Sequence, residues 1–168
     1  RRKLEEINNG IKVVDIFTTT GAYAALKEDG SVVIWGPSSL GGYADPKVLK
    51  QLQSGVKTIF SNERAFAALK EDGSVVSWGQ GVWVDPSIAD ELNSGVKEIT
   101  SAKRSFAALK DDGSVISWGD TSHWHTGHTA KFHNVSKIFA GHSAYIGLRE
   151  DGSVFQWGRL HGADLPEE

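Results

Sequence analysis

The chain has 168 residues, with 18 Lys plus Arg, 21 Asp plus Glu and a formal net charge of −3 at pH 7. It contains no cysteine, which excludes disulfides, thiolate nucleophiles, Cys-ligated zinc and iron–sulfur clusters. The charge balance supplies no overall positive field for nucleic acid, and no apolar run approaches the roughly 20 residues that span a bilayer. We therefore expect neither nucleic-acid binding nor direct membrane insertion, and the compartment stays open.

The chain opens on a predicted short helix, residues 1–10, and residues 45–55 and 85–95 repeat the pattern. Asp45 and Asp85 suit helix N-caps, and each is followed by a proline at the first helical position. Each segment ends in a glycine suited to the left-handed conformation that follows a helix: Gly10, Gly55 and Gly95. The pattern predicts short helices between the units described next.

Three short segments in fixed order recur four times, with a period of about 40 residues. The first segment is an apolar strand, at 13–17, 56–60, 96–100 and 135–139. The second and third are strands joined by Asp-Gly, and the third reads DGSVVIWG, DGSVVSWG, DGSVISWG and DGSVFQWG at 29–36, 72–79, 112–119 and 151–158. Asp-Gly between aromatic and β-branched residues is a strong hairpin signal, because glycine readily adopts the positive φ that such a turn requires.

The predicted strands are apolar on both faces. In the middle strand an aromatic residue alternates with a leucine on the opposite face, and in the last strand a β-branched residue or Phe shares a face with Trp. A unit this small cannot bury two apolar faces alone, so sheets must stack on sheets. A β-propeller meets that requirement and limits exposed strand edges.

The string KIFAGHSAYIGLREDGSVFQWG, residues 137–158, resembles the repeat of the regulator of chromosome condensation family. The four units are also similar to those of propeller-type β-lactamase inhibitory proteins. The resemblance implies a β-propeller, commonly seven-bladed. The family's Ala-Gly-His occurs here only at 140–142, so guanine-nucleotide exchange and chromatin binding are not carried over.

We therefore predict a mainly β fold in which four repeats form a β-propeller or a partial propeller arc, with short helices between units. The units are placed at about 1–40, 41–80, 81–120 and 121–160, and 161–168 begins a further linker. A compact four-bladed ring, an arc completed by more chain and an arc closed by a partner all remain open, and a β-solenoid is the rival architecture. The sequence lacks methionine, and we expect residues 1–168 to be one repeat domain within a longer or processed chain.

A histidine-rich loop, HWHTGH, interrupts the repeat between its third and fourth units. His123, His125 and His128 lie close enough in sequence to converge on Zn²⁺ or Cu²⁺. The alternative is a polar surface loop, because no carboxylate lies inside the motif. These three residues are the predicted metal site.

Aromatic residues in the linkers are the predicted partner-binding residues, because positions that depart from a repeat on exposed connections favour recognition. They are Tyr43, Trp83, Trp124 and Phe132. Arg64 and Arg104 precede the middle strands of adjacent units. Their positions predict either a small basic patch or two solvent-exposed turn residues.

These observations favour a non-catalytic protein-binding or scaffolding module, or an accessory subunit of a larger assembly, with a protein as partner. A lectin-like propeller for carbohydrates or small ligands is the alternative. An enzyme ranks third, since it requires the histidine loop to hold a metal with an open coordination position. No nucleophile elbow or phosphate-binding loop occurs, so the sequence predicts no catalytic residues and no cofactor.

Overall fold

The structure is a computed structural model and describes residues 2–120 and 132–158. Within these ranges four antiparallel sheets of three strands each follow one another along the chain. Sheet 1 contains β1 (Val13–Thr18), β2 (Tyr23–Lys27) and β3 (Val32–Trp35). Sheet 2 contains β4 (Val56–Ser61), β5 (Ala65–Lys70) and β6 (Val75–Gly79). Sheet 3 contains β7 (Val96–Ser101), β8 (Ser105–Lys110) and β9 (Val115–Gly119), and sheet 4 contains β10 (Val135–Ala140), β11 (Ala144–Arg149) and β12 (Val154–Gly158).

Every sheet contains the same Asp-Gly hairpin. In sheet 1, Gly30 has φ +78°, and its N–H donates to the Lys27 carbonyl at 2.9 Å. The Asp29 carboxylate accepts from the Ser31 N–H at 2.9 Å and from the Ser31 hydroxyl at 2.5 Å. This geometry explains why DGS recurs, since aspartate, glycine and serine each perform a separate task in the turn.

The predicted helices between units are confirmed in two cases and corrected in the third. Helix α1 is Arg2–Ile7 and helix α2 is Pro46–Gln51, where the Asp45 carboxylate caps the helix by accepting from Val48 N–H at 3.0 Å. The segment at 85–95 holds only a four-residue 3₁₀ helix, Ala89–Leu92.

The segment at 85–95 forms no α-helix because the Asp85 carboxylate accepts hydrogen bonds from a residue two positions further along the chain. It accepts from the Ser87 N–H and hydroxyl at 2.9 and 2.8 Å, whereas α2 has Lys47 at the equivalent position. A serine two residues after aspartate offers the backbone an alternative to helix capping. A second 3₁₀ helix, Ser38–Leu40, precedes α2.

In sheets 1, 2 and 3, a lysine at the end of the middle strand binds the linker that precedes the sheet. The ammonium groups of Lys27, Lys70 and Lys110 donate to backbone carbonyls near the end of the preceding linker, at 2.5, 2.7 and 2.7 Å. Sheet 4 has Arg149 instead, whose guanidinium carbon lies 4.3 Å from the centre of the Phe155 ring.

Neighbouring sheets are joined by both backbone and side chains. The first strands of consecutive sheets contact each other and therefore lie on the inner side of the arc. At the Asp-Gly end, the N–H groups of Val56, Val96 and Val135 donate to the turn-glycine carbonyls of the preceding sheet at 3.0 Å. The described residues bury three apolar clusters, one at each interface between consecutive sheets.

Each sheet has two distinct apolar faces, as the alternation predicts. We call the face toward the next sheet in the chain the forward face and the opposite one the backward face. At the first interface the forward face of sheet 1 contributes Leu26 and Ile34, and the backward face of sheet 2 contributes Ile59, Phe66 and Trp78. The four sheets form an open arc with the geometry of a partial propeller.

On the backward face of sheet 4, a glycine lies beside a phenylalanine on the neighbouring strand. A Cβ added to Gly147 would lie 2.3 Å from the Phe155 ring, whereas the equivalent positions in the other sheets are alanines. The smaller residue therefore makes room for the larger one on the neighbouring strand. In the part of the chain that the structure describes, no helix has the length and apolar character needed to cross a membrane.

Candidate binding site between sheets 2 and 3

A cavity of about 550 Å³ opens between sheets 2 and 3, at the end opposite the Asp-Gly turns. Two loops of sheet 2 and two loops of sheet 3 form its walls. The lining residues are Asn62, Arg64, Gln80, Gly81, Trp83, Arg104, Gly119 and Asp120. A concave site with a few convergent polar groups is the usual form of a binding pocket.

Equivalent hydrogen bonds position the two arginines. The Asn62 carboxamide oxygen accepts from the N–H groups of Arg64 and Ala65 at 3.1 and 2.9 Å, which closes the loop between β4 and β5. The Gln80 N–H then donates to the Arg64 carbonyl at 3.0 Å. In sheet 3 the Asp120 N–H donates to the Arg104 carbonyl, also at 3.0 Å. The repeat itself therefore places one arginine on each side of the cavity.

Glu63 links the two walls. Its N–H donates to the Lys103 carbonyl at 3.2 Å, and its carboxylate lies 3.5 Å from Lys103 Nζ and 3.8 Å from Arg104 Nε. The Arg104 charge is thus partly neutralised by a neighbour. Arg64 forms no salt bridge within the described ranges, so its guanidinium is the cation that a ligand can engage.

Trp83 supplies an apolar surface at the cavity. Its side chain is 62% exposed, and its carbonyl accepts from the Gly119 N–H at 3.1 Å. This bond fixes the linker of sheet 2 against the end of β9. An exposed indole held on an anchored backbone can pack on a ligand with little ordering cost, because the loop is already in place.

The cavity carries a side chain suited to binding a carboxylate. Arginine binds carboxylates through two parallel N–H donors, and the described lining offers Asp120 as its carboxylate but no histidine, lysine, cysteine or serine. Asn62 Nδ2 is buried without a hydrogen-bond partner among the described residues, so this loop also carries a donor that the fold does not use. Across the described ranges, no group of three His, Asp or Glu side chains is arranged to hold a metal ion.

The structure brings together some of the residues predicted from sequence. Trp83, Arg64 and Arg104 line one cavity. Tyr43 stands two residues before Asp-Pro, as Trp83 does, and is also 62% exposed, but it does not line the cavity. Phe132 is half-buried and stacks on Phe155 with ring centres 4.2 Å apart, so its ring takes part in packing.

The remaining predicted residues lie outside the described residues: Trp124 and the predicted metal ligands His123, His125 and His128. Partner binding by the four aromatics and metal binding by the histidines stay predictions. Sequence reasoning did not select Asn62, Gln80 or Asp120. The available signal was their place in the repeat, because Gln80 and Asp120 each follow a Trp-Gly and Asn62 starts an arginine-containing turn.

The Asp-Gly carboxylates belong to the hairpins. Hydrogen bonds from the serine two residues later, first its hydroxyl and then its N–H, hold the pKa of each aspartate below its ordinary value of 3.8. The four carboxylates are Asp29, Asp72, Asp112 and Asp151. Their shared environment supports a structural role in the turn.

The fold is a β-propeller arc, and a cavity lies between the loops of its second and third sheets. Solved structures with this architecture include the CRINKLY WD40 ectodomain of the receptor kinase ACR4 from Arabidopsis thaliana, with TM-score 0.61 and 19% identity over 94% of this chain and 56% of that chain. Prp20p of Saccharomyces cerevisiae matches with TM-score 0.56 and 23% identity over 95% of this chain and 46% of that chain. Human WBSCR16 matches with TM-score 0.60 and 18% identity over 88% of this chain and 47% of that chain.

Prp20 is the yeast RCC1, so the resemblance to that repeat is confirmed at the level of the fold. The chain spans about half the length of these solved structures. The Prp20p structure is described together with its binding to Gsp1p and histones, and a second one shows it bound by Kap60. No protein-family model matches the chain, and no curated protein matches its sequence.

Proposed function

We propose that the chain is a non-catalytic protein-binding module that holds an acidic segment of a partner in the cavity between sheets 2 and 3. The observation that carries this proposal is the Arg64 guanidinium, which has no salt bridge in the described ranges and lines the same cavity as the exposed Trp83. A carboxylate would pair with the arginine while a neighbouring apolar side chain packs on the indole.

Repeat geometry supports this proposal. The first and fourth units have Gly21 and Ser143 where the second and third have arginine. The positive side chains therefore concentrate at one interface of an otherwise repetitive scaffold. We infer that the repeated sheets act as a rigid scaffold and that the side chains that differ between repeats bind the partner. The protein partners named for Prp20 are consistent with that use of the fold.

A display library of random linear peptides, selected on the purified chain, tests the proposal. We expect enrichment of peptides in which Asp or Glu adjoins a large apolar residue. Arg64→Ala should weaken binding of an enriched peptide about tenfold or more, since a charge-assisted hydrogen bond contributes roughly 1.5–3 kcal/mol. Lys97→Ala is the matched control, because Lys97 is an exposed cation outside the cavity.

Equal binding by the wild type, Arg64→Ala and Trp83→Ala would contradict the proposal. A glycan array run on the same proteins tests the lectin alternative directly. Glycan binding that is lost in Trp83→Ala, with no enriched peptide, would replace the protein partner by a carbohydrate.

A further inference from the structure

The linker that contains α1 ends in an asparagine–glycine pair, whereas the equivalent pairs in the next two units are serine–glycine. The pair is Asn9-Gly10, and the serine–glycine pairs lie at 54–55 and 94–95. A carboxamide beside glycine is open to attack by the glycine nitrogen, because glycine has no side chain to hinder the approach. Asn9 is exposed, and a Cβ added to Gly10 would meet nothing within 4 Å, so the reacting groups have free space around them.

The Gly10 N–H, which is the attacking group, differs from the glycine N–H of the Asp-Gly turns. It donates to no acceptor within the described ranges. In the turns the glycine N–H donates to the carbonyl three positions earlier at 2.9–3.0 Å, at Gly30, Gly73, Gly113 and Gly152. Aspartate beside glycine can cyclise by the same route, so these hydrogen bonds protect the turns and leave Asn9-Gly10 as the reactive pair.

Two donors face the Asn9 carboxamide oxygen. Lys27 Nζ donates to Asn9 Oδ1 at 2.6 Å, and the Ile11 N–H donates to it at 3.2 Å. Negative charge collects on this oxygen when the carboxamide carbon is attacked, and donors already in place stabilise such a charge. The contacts of Asn9 therefore favour attack at its side chain.

The Lys27 ammonium is buried without a negative partner. Lys27 is 2% exposed, and its second acceptor is the uncharged Glu6 carbonyl at 2.5 Å. It forms no salt bridge within the part of the chain that the structure describes. A buried charge is costly unless it is paired, so a carboxylate at position 9 would stabilise the folded chain.

The equivalent lysine of sheet 3 has the carboxylate that Lys27 lacks. Lys110 Nζ donates to the Glu91 carbonyl at 2.7 Å and lies 3.1 Å from the Glu91 carboxylate. Lys110 is 9% exposed and is therefore also buried. The junction between linker and middle strand thus accommodates an ion pair in one unit of the repeat, next to the same lysine.

We infer that Asn9 is a site of spontaneous deamidation and that the carboxylate it gains pairs with Lys27. The Gly10 nitrogen bonds to the Asn9 carboxamide carbon, the bond from that carbon to Nδ2 breaks, and Nδ2 leaves as ammonia with the proton of the Gly10 nitrogen. Water then opens the succinimide ring. Attack at the side-chain carbonyl gives aspartate and attack at the backbone carbonyl gives isoaspartate, and each product carries one new carboxylate.

Peptide mapping by mass spectrometry, after incubation of the full chain at mildly alkaline pH, tests the site. Trypsin releases residues 4–12 as one peptide, so Asn8 is an internal control for Asn9. We expect conversion of the amide to an acid at Asn9, none at Asn8, and no isoaspartate at the four turns until urea unfolds the chain. Gly10→Ala should slow the conversion about tenfold or more, because a side chain hinders the attacking nitrogen.

Thermal unfolding tests the pairing with Lys27. Asn9→Asp should raise the melting temperature by about 2–4 °C, because it gives the buried ammonium a negative partner. Asn8→Asp is the matched control, since it adds the same charge at a residue that does not bind Lys27. An Asn9 amide that survives incubation, equal conversion at Asn8 and Asn9, isoaspartate at the folded turns, a stable cross-link between Lys27 and Asn9, or equal melting temperatures for the two aspartate variants would overturn the inference.

Discussion

The Tyr145 hydroxyl lies 2.8 Å from the Ser105 hydroxyl, and both groups are buried at the interface of sheets 3 and 4. The two earlier interfaces have Ala22 opposite Phe66 and Ala65 opposite Phe106 in their clusters. Serine therefore occurs where the following sheet provides a tyrosine. Burial, opposed by the Ser105 hydrogen bond, raises the pKa of Tyr145 well above its ordinary value of 10.0, so this phenol stays neutral.

A double-mutant cycle on this pair should show a coupling of about 1–2 kcal/mol in the free energy of unfolding. Tyr145→Phe leaves the Ser105 hydroxyl buried without this partner, whereas Tyr145→Phe with Ser105→Ala restores the Ala–Phe combination of the other interfaces. We expect the double variant to be more stable than Tyr145→Phe alone. Urea unfolding measures the four proteins, and additive losses would show that the hydroxyls do not act as a pair.

The repeated tryptophans should respond differently to replacement by Phe. Trp157 Nε1 donates to the Ser117 hydroxyl at 2.8 Å and Trp78 Nε1 to the Gly41 carbonyl at 3.1 Å. Trp118 Nε1 is buried with no hydrogen-bond partner in the described ranges. Trp118→Phe should therefore cost about 1 kcal/mol less in unfolding free energy than Trp157→Phe.

Ser117→Ala is the control for the tryptophan comparison, because it removes the acceptor of Trp157 while leaving the indole in place. It should destabilise the chain by about 1–3 kcal/mol, the cost of a buried donor without its partner. Equal losses in Trp118→Phe and Trp157→Phe would mean that ring volume, not the hydrogen bond, determines the loss of stability.

The turn glycines provide a matched pair. Gly73 and Gly152 have φ of +81° and +86°, so an alanine at either position incurs about the same left-handed backbone strain of roughly 1–2 kcal/mol. Only at Gly73 would the added Cβ meet the backbone of the next sheet. Gly73→Ala should lower the unfolding free energy by at least about 1 kcal/mol more than Gly152→Ala.

Melting temperatures of the two glycine variants test this difference. Equal losses would show that the clash at Gly73 relaxes without cost. A larger loss at Gly152 would contradict the open end of the arc.

Acid sensitivity should follow the four turn aspartates. Hydrogen bonds from serine lower their pKa in the folded chain, so their contribution to stability is complete above the ordinary value of 3.8 and is lost as pH falls through the lowered folded pKa. Replacing the four serines by alanine should flatten the fall in stability below pH 3.8. The replaced residues are Ser31, Ser74, Ser114 and Ser153.

Urea unfolding across the acidic range measures this effect. Ser136→Ala is the control, because the Ser136 hydroxyl donates to the Leu148 carbonyl and to no carboxylate. An unchanged slope in the quadruple variant would show that the backbone N–H bonds alone stabilise the aspartate charge.

The sequence by itself determined the hairpins, the two apolar faces of every sheet and the propeller class. These features depend on residues close together in the chain: glycine at a positive φ, serine two residues after aspartate, and alternation along a strand. The prediction of an α-helix at 85–95 was wrong, because the N–H and hydroxyl of Ser87 donate to the Asp85 carboxylate and compete with helix capping.

Only the tertiary structure decided which loops meet. Arg64 and Arg104 are 40 positions apart in the repeat, and they line one cavity because the stacking of sheet 3 on sheet 2 aligns their turns. The same stacking determines which faces are buried and which remain open, since Ile16 and Ile59 occupy equivalent strand positions and differ only in having a sheet behind them. A repeated sequence specifies the interface between units, whereas the stacking of one described sheet on the next decides which residues that interface buries.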